Sequence, residues 1–248
     1  MTHESPLPPF GHGLDLRAAL EVSALPREMR AALRQSRPDE PDFRQMLIVA
    51  HAGRAFWQSL TASGIQSEDP VDDFTLRVIE TWLATHLPGV RHRVLYPRGD
   101  CPLSLRALGA LVGWHHASPF RIGILPEWGT WFAYRAVVLA DSDFMPTVPV
   151  ALESPCTACA QRVCVSRCPA GALTGDALDL QRCIAYRRLP GSPCRETCLA
   201  RTSCPVGAEH RYTDEQLHYH YGRSMRSIEA TPPAEPEALL AAPAKSKL

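Results

Sequence analysis

The chain has no surplus of charge, no long apolar run, and almost no cysteine outside one short region. Lys plus Arg and Asp plus Glu balance at 26 each over 248 residues, so the overall charge offers no general surface for polyanions. No apolar stretch approaches the roughly 20 residues of a membrane-spanning helix, and the protein is expected not to cross a membrane. The opening MTHESPLPPFGHGLDL lacks a basic segment followed by an apolar one. No secretion route is therefore visible, and a reducing, cytoplasmic setting is expected. The first 155 residues hold a single cysteine, Cys101, read as an ordinary semi-buried thiol. With 45% hydrophobic and 21% charged residues, the chain can form one full domain and a small one.

The other eight of the nine cysteines fall between Cys156 and Cys204. The first four read Cys156-x2-Cys159-x4-Cys164-x3-Cys168-Pro169, two residues longer in the middle gap than the bacterial ferredoxin run. Cys183, Cys194, Cys198 and Cys204-Pro205 follow as a looser second half. In two-cluster ferredoxins the fourth cysteine of such a run binds the other cluster. Crossing the halves this way assigns Cys156, Cys159, Cys164 and Cys204 to one [4Fe–4S] cluster, and Cys168, Cys183, Cys194 and Cys198 to a second. Electron transfer is then the expected chemistry. Four disulfides would need an oxidising compartment. Two zinc sites of four thiolates each compete more closely. Against zinc stand the crowded run, the two Cys-Pro pairs, and the small residues Pro169, Ala170, Gly171 and Ala172, which let backbone amides approach a cluster.

Along the chain, residues 1–13 read as a loose arm and Leu14 to Gln35 as a helix interrupted at Pro26. The apolar run Met46 to Ala50 predicts a buried strand, and Asp69 is expected to cap a helix reaching His86. Strands are predicted at His92 to Tyr96, Ile122 to Leu125 and Trp131 to Ala140, with a helix over Leu103 to Gly113. Thr213-x-x-Gln216 resembles a capping box opening a further helix, with His218 and His220 on its surface. The pattern predicts an α+β chain split near Pro149 to Pro155. Its parts are an arm and helix over 1–40, a domain over 41–150, a cluster module over 151–212, a helix over 213–230 and a disordered tail over 231–248. The terminal Ser246-Lys247-Leu248 matches the peroxisomal import tripeptide and is read as coincidence.

The segment Ile124 to Leu139, ILPEWGTWFAYRAVVL, resembles the His-Pro-x-Phe-Gly-Gly-Trp-Phe-Ala-x-Arg-Gly-Val-Val-Leu stretch of the cobalamin-processing (CblC-type cyanocobalamin reductase) proteins. Asp69-Pro70-Val71-Asp72 resembles a second segment of that family. The cysteine module, with Cys183-Ile184-Ala185-Tyr186, is similar to the cluster domain of epoxyqueuosine reductase. Over residues 45–210 the resemblance implies a nitroreductase-like, CblC-like α+β sandwich that binds cobalamin or a flavin, followed by a ferredoxin-like module with two [4Fe–4S] clusters. It further implies that Gly129 lets a planar cofactor approach, that Trp131 and Phe132 wall its pocket, and that Arg135 holds an anionic group. Core packing is the competing reading of the two aromatics. Leu125 and Thr130 stand where the family has histidine and glycine. Asp100, in Asp100-Cys101-Pro102, matches with shifted spacing the catalytic acid of epoxyqueuosine reductases; an exposed turn aspartate is the competing reading. His115 and His116 are candidates for an acid, a base or a lower corrinoid ligand.

Three functions follow from these readings. The leading one is a redox protein that takes electrons from a ferredoxin or flavodoxin and reduces a cofactor or substrate near Arg135. The others are a ferredoxin-type carrier without enzymatic activity and a cobalamin chaperone. A local patch of Arg182, Arg187, Arg188, Arg195 and Arg201 leaves nucleic acid open as a partner, although these side chains are read as solvating the cluster module or screening its anionic clusters.

Overall fold

The computed structural model describes residues 5–99, 101–150, 152–174 and 177–231. It divides into two compact units, one from Met1–His115 with Phe132–Leu152, the other from His116–Trp131 with Glu153–Leu248.

Unit 1 is built on a four-stranded antiparallel sheet in the order β1-β2-β4-β3, with β1 (Leu16–Glu21), β2 (Gln45–Ala52), β3 (His92–Tyr96) and β4 (Phe132–Ala140). Every residue of β2 is buried, which is why its Met46–Ala50 stretch reads as an apolar run rather than an alternation. Met46 and Ile48 join Val137 and Leu139 in one core with Leu33 of α1 (Arg27–Ser36) and Leu108 of α4 (Leu105–Leu111). The intervening Leu47 and Val49 point to the other face. There α2 (Ala55–Ala62) packs against β2, and α3 (Pro70–His86) against β4.

Several expectations change. Leu14 to Gln35 is not one helix, since Leu16–Glu21 pairs with β2 as an edge strand and α1 begins only after Pro26. Strand pairing overrides the helical spacing of its leucines. Residues 5–13 are no loose arm, and the first four residues of the expected arm lie outside the described residues. Leu7 and Phe10 are buried, Phe10 stacks on Trp82 with centroids 4.2 Å apart, and Trp82 Nε1 donates to the Pro9 carbonyl at 3.1 Å. Asp69 stands at the N-cap of α3 without a side-chain cap bond; its carbonyl accepts from Asp72 and Asp73, and Pro70 fills the first turn. Ile122 to Leu125 forms only isolated bridges, His116 to Ile124 and Leu125 to Gly129, because the turn at Pro126 to Trp128 folds the segment back at once.

Unit 2 carries α5 (Val163–Ser166), α6 (Leu180–Arg188), α7 (Leu199–Thr202) and α8 (Asp214–Ala230). The His116–Trp131 segment is anchored to it by backbone approach. A Cβ on Gly129 would lie 2.1 Å from the Val206 carbonyl oxygen, and one on Gly207 would lie 2.4 Å from the Trp128 carbonyl carbon. Both glycines have positive φ, 57° and 62°, so glycine is required twice over. Trp131, fully buried, packs there with Tyr212 and Leu217.

Phe10→Ala is therefore expected to lower unfolding free energy by about 3 kcal/mol in urea; an unattached arm would give no change. Gly129→Ala is expected to cost more than about 1 kcal/mol by strain and clash. Gly222→Ala, in open space on α8, should be neutral or stabilising in the same assay.

Candidate cluster sites

All nine cysteines are free thiols. Cys164 lies in α5, which ends two residues before Cys168, while α7 follows directly on Cys198 and ends two residues before Cys204. The two short helices pack on each other. Each carries the chain from a cysteine of one predicted set to a cysteine of the other. Cys198 is itself the N-cap of α7, its sulfur accepting from the Arg201 amide at 3.5 Å. Cys183 rides on α6, whose start is fixed by Asp179 accepting from the Arg182 amide at 2.9 Å.

Five of the eight thiols in this region are raised by burial and by neighbouring cysteines. Burial raises Cys156, and the charges of Cys204, Cys164 and Cys159 raise it further. Burial likewise raises Cys164 and Cys204, with added repulsion from Cys204 and Cys159 on the former and from Cys159 on the latter. Burial pushes Cys183 up to about 11, with Cys198, Cys168 and Cys194 adding to the rise. Cys194 is raised by burial and then by Cys198 and Cys168.

Cys168, Cys183, Cys194 and Cys198 line one cavity of about 200 Å³, together with Arg187 and Tyr221. That is the room of six or seven waters at roughly 30 Å³ each. Among the described residues no three His, Cys, Asp or Glu side chains converge closely enough to hold one metal ion. Mononuclear zinc would need its four thiolates about 2.3 Å from a single ion, whereas a cubane spreads them over four irons.

Each of the five arginines of the predicted patch makes a contact within unit 2, and Arg187 among them is buried. Arg182 Nε donates to the Ala170 carbonyl at 2.8 Å, Arg188 reaches the carbonyls of Ile228 and Thr231, and Arg195 pairs with Glu229. Arg201 donates to the Thr130 carbonyl at 2.6 Å and hydroxyl at 3.1 Å, over the rings of Trp131 at 4.4 Å and Tyr212 at 5.3 Å. Arg187 is buried, donating to the carbonyls of Cys194, Arg195 and Tyr221 and to the Ser224 hydroxyl. Their position in the fold was not visible in the sequence, although Arg187 follows Cys183 by one helical turn and so shares its face. Three of the five end on α8, whose N-cap Thr213 accepts from the Gln216 amide at 3.2 Å. Burial pushes the Tyr221 phenol of that helix up to about 12.

The four residues expected at an organic cofactor are divided between the units. Gly129 and Trp131 belong to unit 2, where close packing accounts for both; Phe132 and Arg135 lie on β4 of unit 1, each 8% exposed. Arg135 Nε donates to His51 Nδ1 at 2.8 Å, and the guanidinium stands 5.5 Å from the centroid of Phe56, on which His51 stacks. No carboxylate pairs with Arg135 among the described residues. His51 was read from the sequence only as a strand boundary; within β2 it is fully buried. Asp100 lies outside the described residues, and the Cys101 thiol beside it donates to the Leu103 carbonyl at 3.6 Å. His115 closes the first segment of unit 1, while the His116 carbonyl accepts from the Ile124 amide at 3.1 Å in unit 2.

No protein-family model matches the chain. An epoxyqueuosine reductase of Listeria monocytogenes is 30% identical over 112 residues, 45% of this chain and 28% of that protein. A crystal structure of epoxyqueuosine reductase with an epoxyqueuosine-modified tRNA-Tyr stem loop aligns with a TM-score of 0.50 at 19% identity, covering 83% of this chain and 65% of that one. A catabolic reductive dehalogenase aligns at 0.51 and 14% identity, over 92% of this chain and 34% of that one. The chain thus spans less than two thirds of each of these proteins. It is similar to epoxyqueuosine reductase in sequence over part of its length and in fold over most of it.

Proposed function

We propose that the protein is an iron–sulfur redox protein whose role is like that of epoxyqueuosine reductase. Cys156, Cys159, Cys164 and Cys204 would hold one [4Fe–4S] cluster, and Cys168, Cys183, Cys194 and Cys198 a second. The observation that carries this reading is the cavity lined by four cysteines drawn from both halves of the cysteine region. When bound, such clusters supply reversible one-electron storage. The chain's own part is to deliver thiolates in two groups, to aim the Arg201 amide at the Cys198 sulfur, and to keep water from the buried flank formed with α8. Because burial holds these thiols protonated, loading releases protons.

For unit 1 the reading is narrower. Arg135, buried and without a carboxylate partner among the described residues, suits an anionic group of a corrinoid or flavin or of a substrate. Gly129 and Trp131 serve packing within unit 2, so the proposed contact rests on Arg135 with Phe132 beside it. A ferredoxin or flavodoxin is proposed as electron donor. The solved epoxyqueuosine reductase has a tRNA stem loop, which brings nucleic acid into scope as a partner. Of the five arginines of unit 2 named for that role, Arg187 is buried, while the other four are half-exposed and also make contacts within the unit. A carrier without activity and a cobalamin chaperone are the alternatives.

Anaerobically purified protein is expected to be brown, to hold about eight irons with matching sulfide, and to bleach on reduction. Stoichiometric zinc without sulfide would end the cluster reading. Titration with cobalamin, and separately with flavin, tests unit 1. Uptake with a spectral change is expected, and Arg135→Ala should weaken it by about 1.5–3 kcal/mol with iron content unchanged. Failure of the wild-type protein to bind either ligand would leave the carrier reading in front.

A further inference from the structure

Arg187 lines the cavity of Cys168, Cys183, Cys194 and Cys198, one helical turn beyond Cys183 on α6. It is 7% exposed. Its Nε donates to the Cys194 carbonyl at 3.0 Å, Nη1 to the Ser224 hydroxyl at 3.0 Å, and Nη2 to the carbonyls of Arg195 and Tyr221, each at 3.1 Å. The guanidinium also stands 5.2 Å from the centroid of the Tyr221 ring. Every one of these partners is neutral. Among the described residues no carboxylate pairs with Arg187. A guanidinium does not lose its proton in a protein, so the positive charge is buried with its hydrogen bonds satisfied and its charge unbalanced. Among the described residues, the groups facing it that can turn negative are the thiols around the cavity, once they give up their protons to ligate a cluster.

We propose, resting on the cluster reading above, that Arg187 is the built-in counter-charge of the cluster held by Cys168, Cys183, Cys194 and Cys198 and sets its reduction potential. A cubane ligated by four thiolates is an anion, and taking one electron from a donor makes it more negative, while Arg187 stays protonated and its charge unchanged. A fixed cation in a low-dielectric pocket favours the more negative state. The other set has a weaker counterpart. Arg211 Nη2 donates to the Cys204 carbonyl at 3.0 Å, but Arg211 as a whole is less buried than Arg187, although its Nε is shut from solvent. Electrons shared between the two clusters would therefore rest on the Arg187 side, and Arg187 is a positioning residue that acts through the cluster.

The test is an EPR-monitored redox titration of the anaerobic full-length protein, with iron and sulfide counted for every sample. Arg187→Gln is expected to keep its iron and to lower one midpoint by about tenfold in the one-electron equilibrium, roughly 59 mV, with the second midpoint unmoved. Arg187→Lys, which keeps the charge, should stay near the wild-type value. Full iron and sulfide with both midpoints unmoved in Arg187→Gln would overturn the proposal and leave Arg187 as a brace for the Cys194 loop. If Arg187→Gln loses iron, Arg187→Lys decides. Retained iron at the wild-type midpoint supports the charge role, and loss of iron there too overturns it. Wild-type protein without iron and sulfide would refute the cluster reading itself, a result distinct from all of these.

Discussion

Thiols gathered in a buried pocket resist ionisation, because burial penalises each thiolate and every neighbour adds repulsion. Unit 2 gathers them twice, and the rise of Cys183 to about 11 shows how strongly the surroundings disfavour an isolated charge there. Such an arrangement makes sense only with positive charge placed against it. The local architecture answers that demand. Two short helices carry the chain between the groups, a backbone amide points at Cys198, and a buried guanidinium closes the side of the cavity formed with α8. The last helix is thus part of the cysteine unit rather than an appendage, since Arg187, Arg188 and Arg195 all end on it.

Unit 1 poses the opposite electrostatic problem. Its central strands are apolar except at Gln45, His51 and Arg135. Gln45 is fully satisfied by Glu21, Ser142 and the backbone of Phe144, which makes it a structural knot at the end of β2. Arg135 differs because a neutral imidazole and an aromatic ring answer its hydrogen bonds and shape but not its charge. Each unit therefore buries one guanidinium without a carboxylate partner among the described residues, Arg187 beside thiols and Arg135 beside an imidazole.

What the sequence disclosed depended on how local each signal was. Cysteine spacing is local, and Cys168, Cys183, Cys194 and Cys198, far apart in sequence, line one cavity. The apolar run of β2 and the helical face of α3 were legible for the same reason. Leu16–Glu21 was misread as helix because its strand identity comes from a partner nearly thirty residues away. The arm was misread because Phe10 is held by Trp82, which no short window shows. Trp131 and Phe132 are adjacent in sequence yet fall in different units, so a motif read as continuous serves two separate cores. Charge is visible in a sequence but its direction is not: of the five arginines read as solvating the module or screening its clusters, Arg187 is buried and the other four are half-exposed, each with a contact inside unit 2.

The crossing of the ligands is the centre of this account, and Cys168 tests it because it neighbours one group in sequence and faces the other in the cavity. The direct measurement is Mössbauer spectroscopy, with iron content, on ⁵⁷Fe-loaded anaerobic protein carrying Cys168→Ser, Cys183→Ser or Cys156→Ser. The account predicts that Cys168→Ser reproduces the spectrum of Cys183→Ser and leaves the cluster of Cys156, Cys159, Cys164 and Cys204 in place. A Cys168→Ser spectrum that instead matches Cys156→Ser would mean that the run of four cysteines binds its own cluster, and would contradict it.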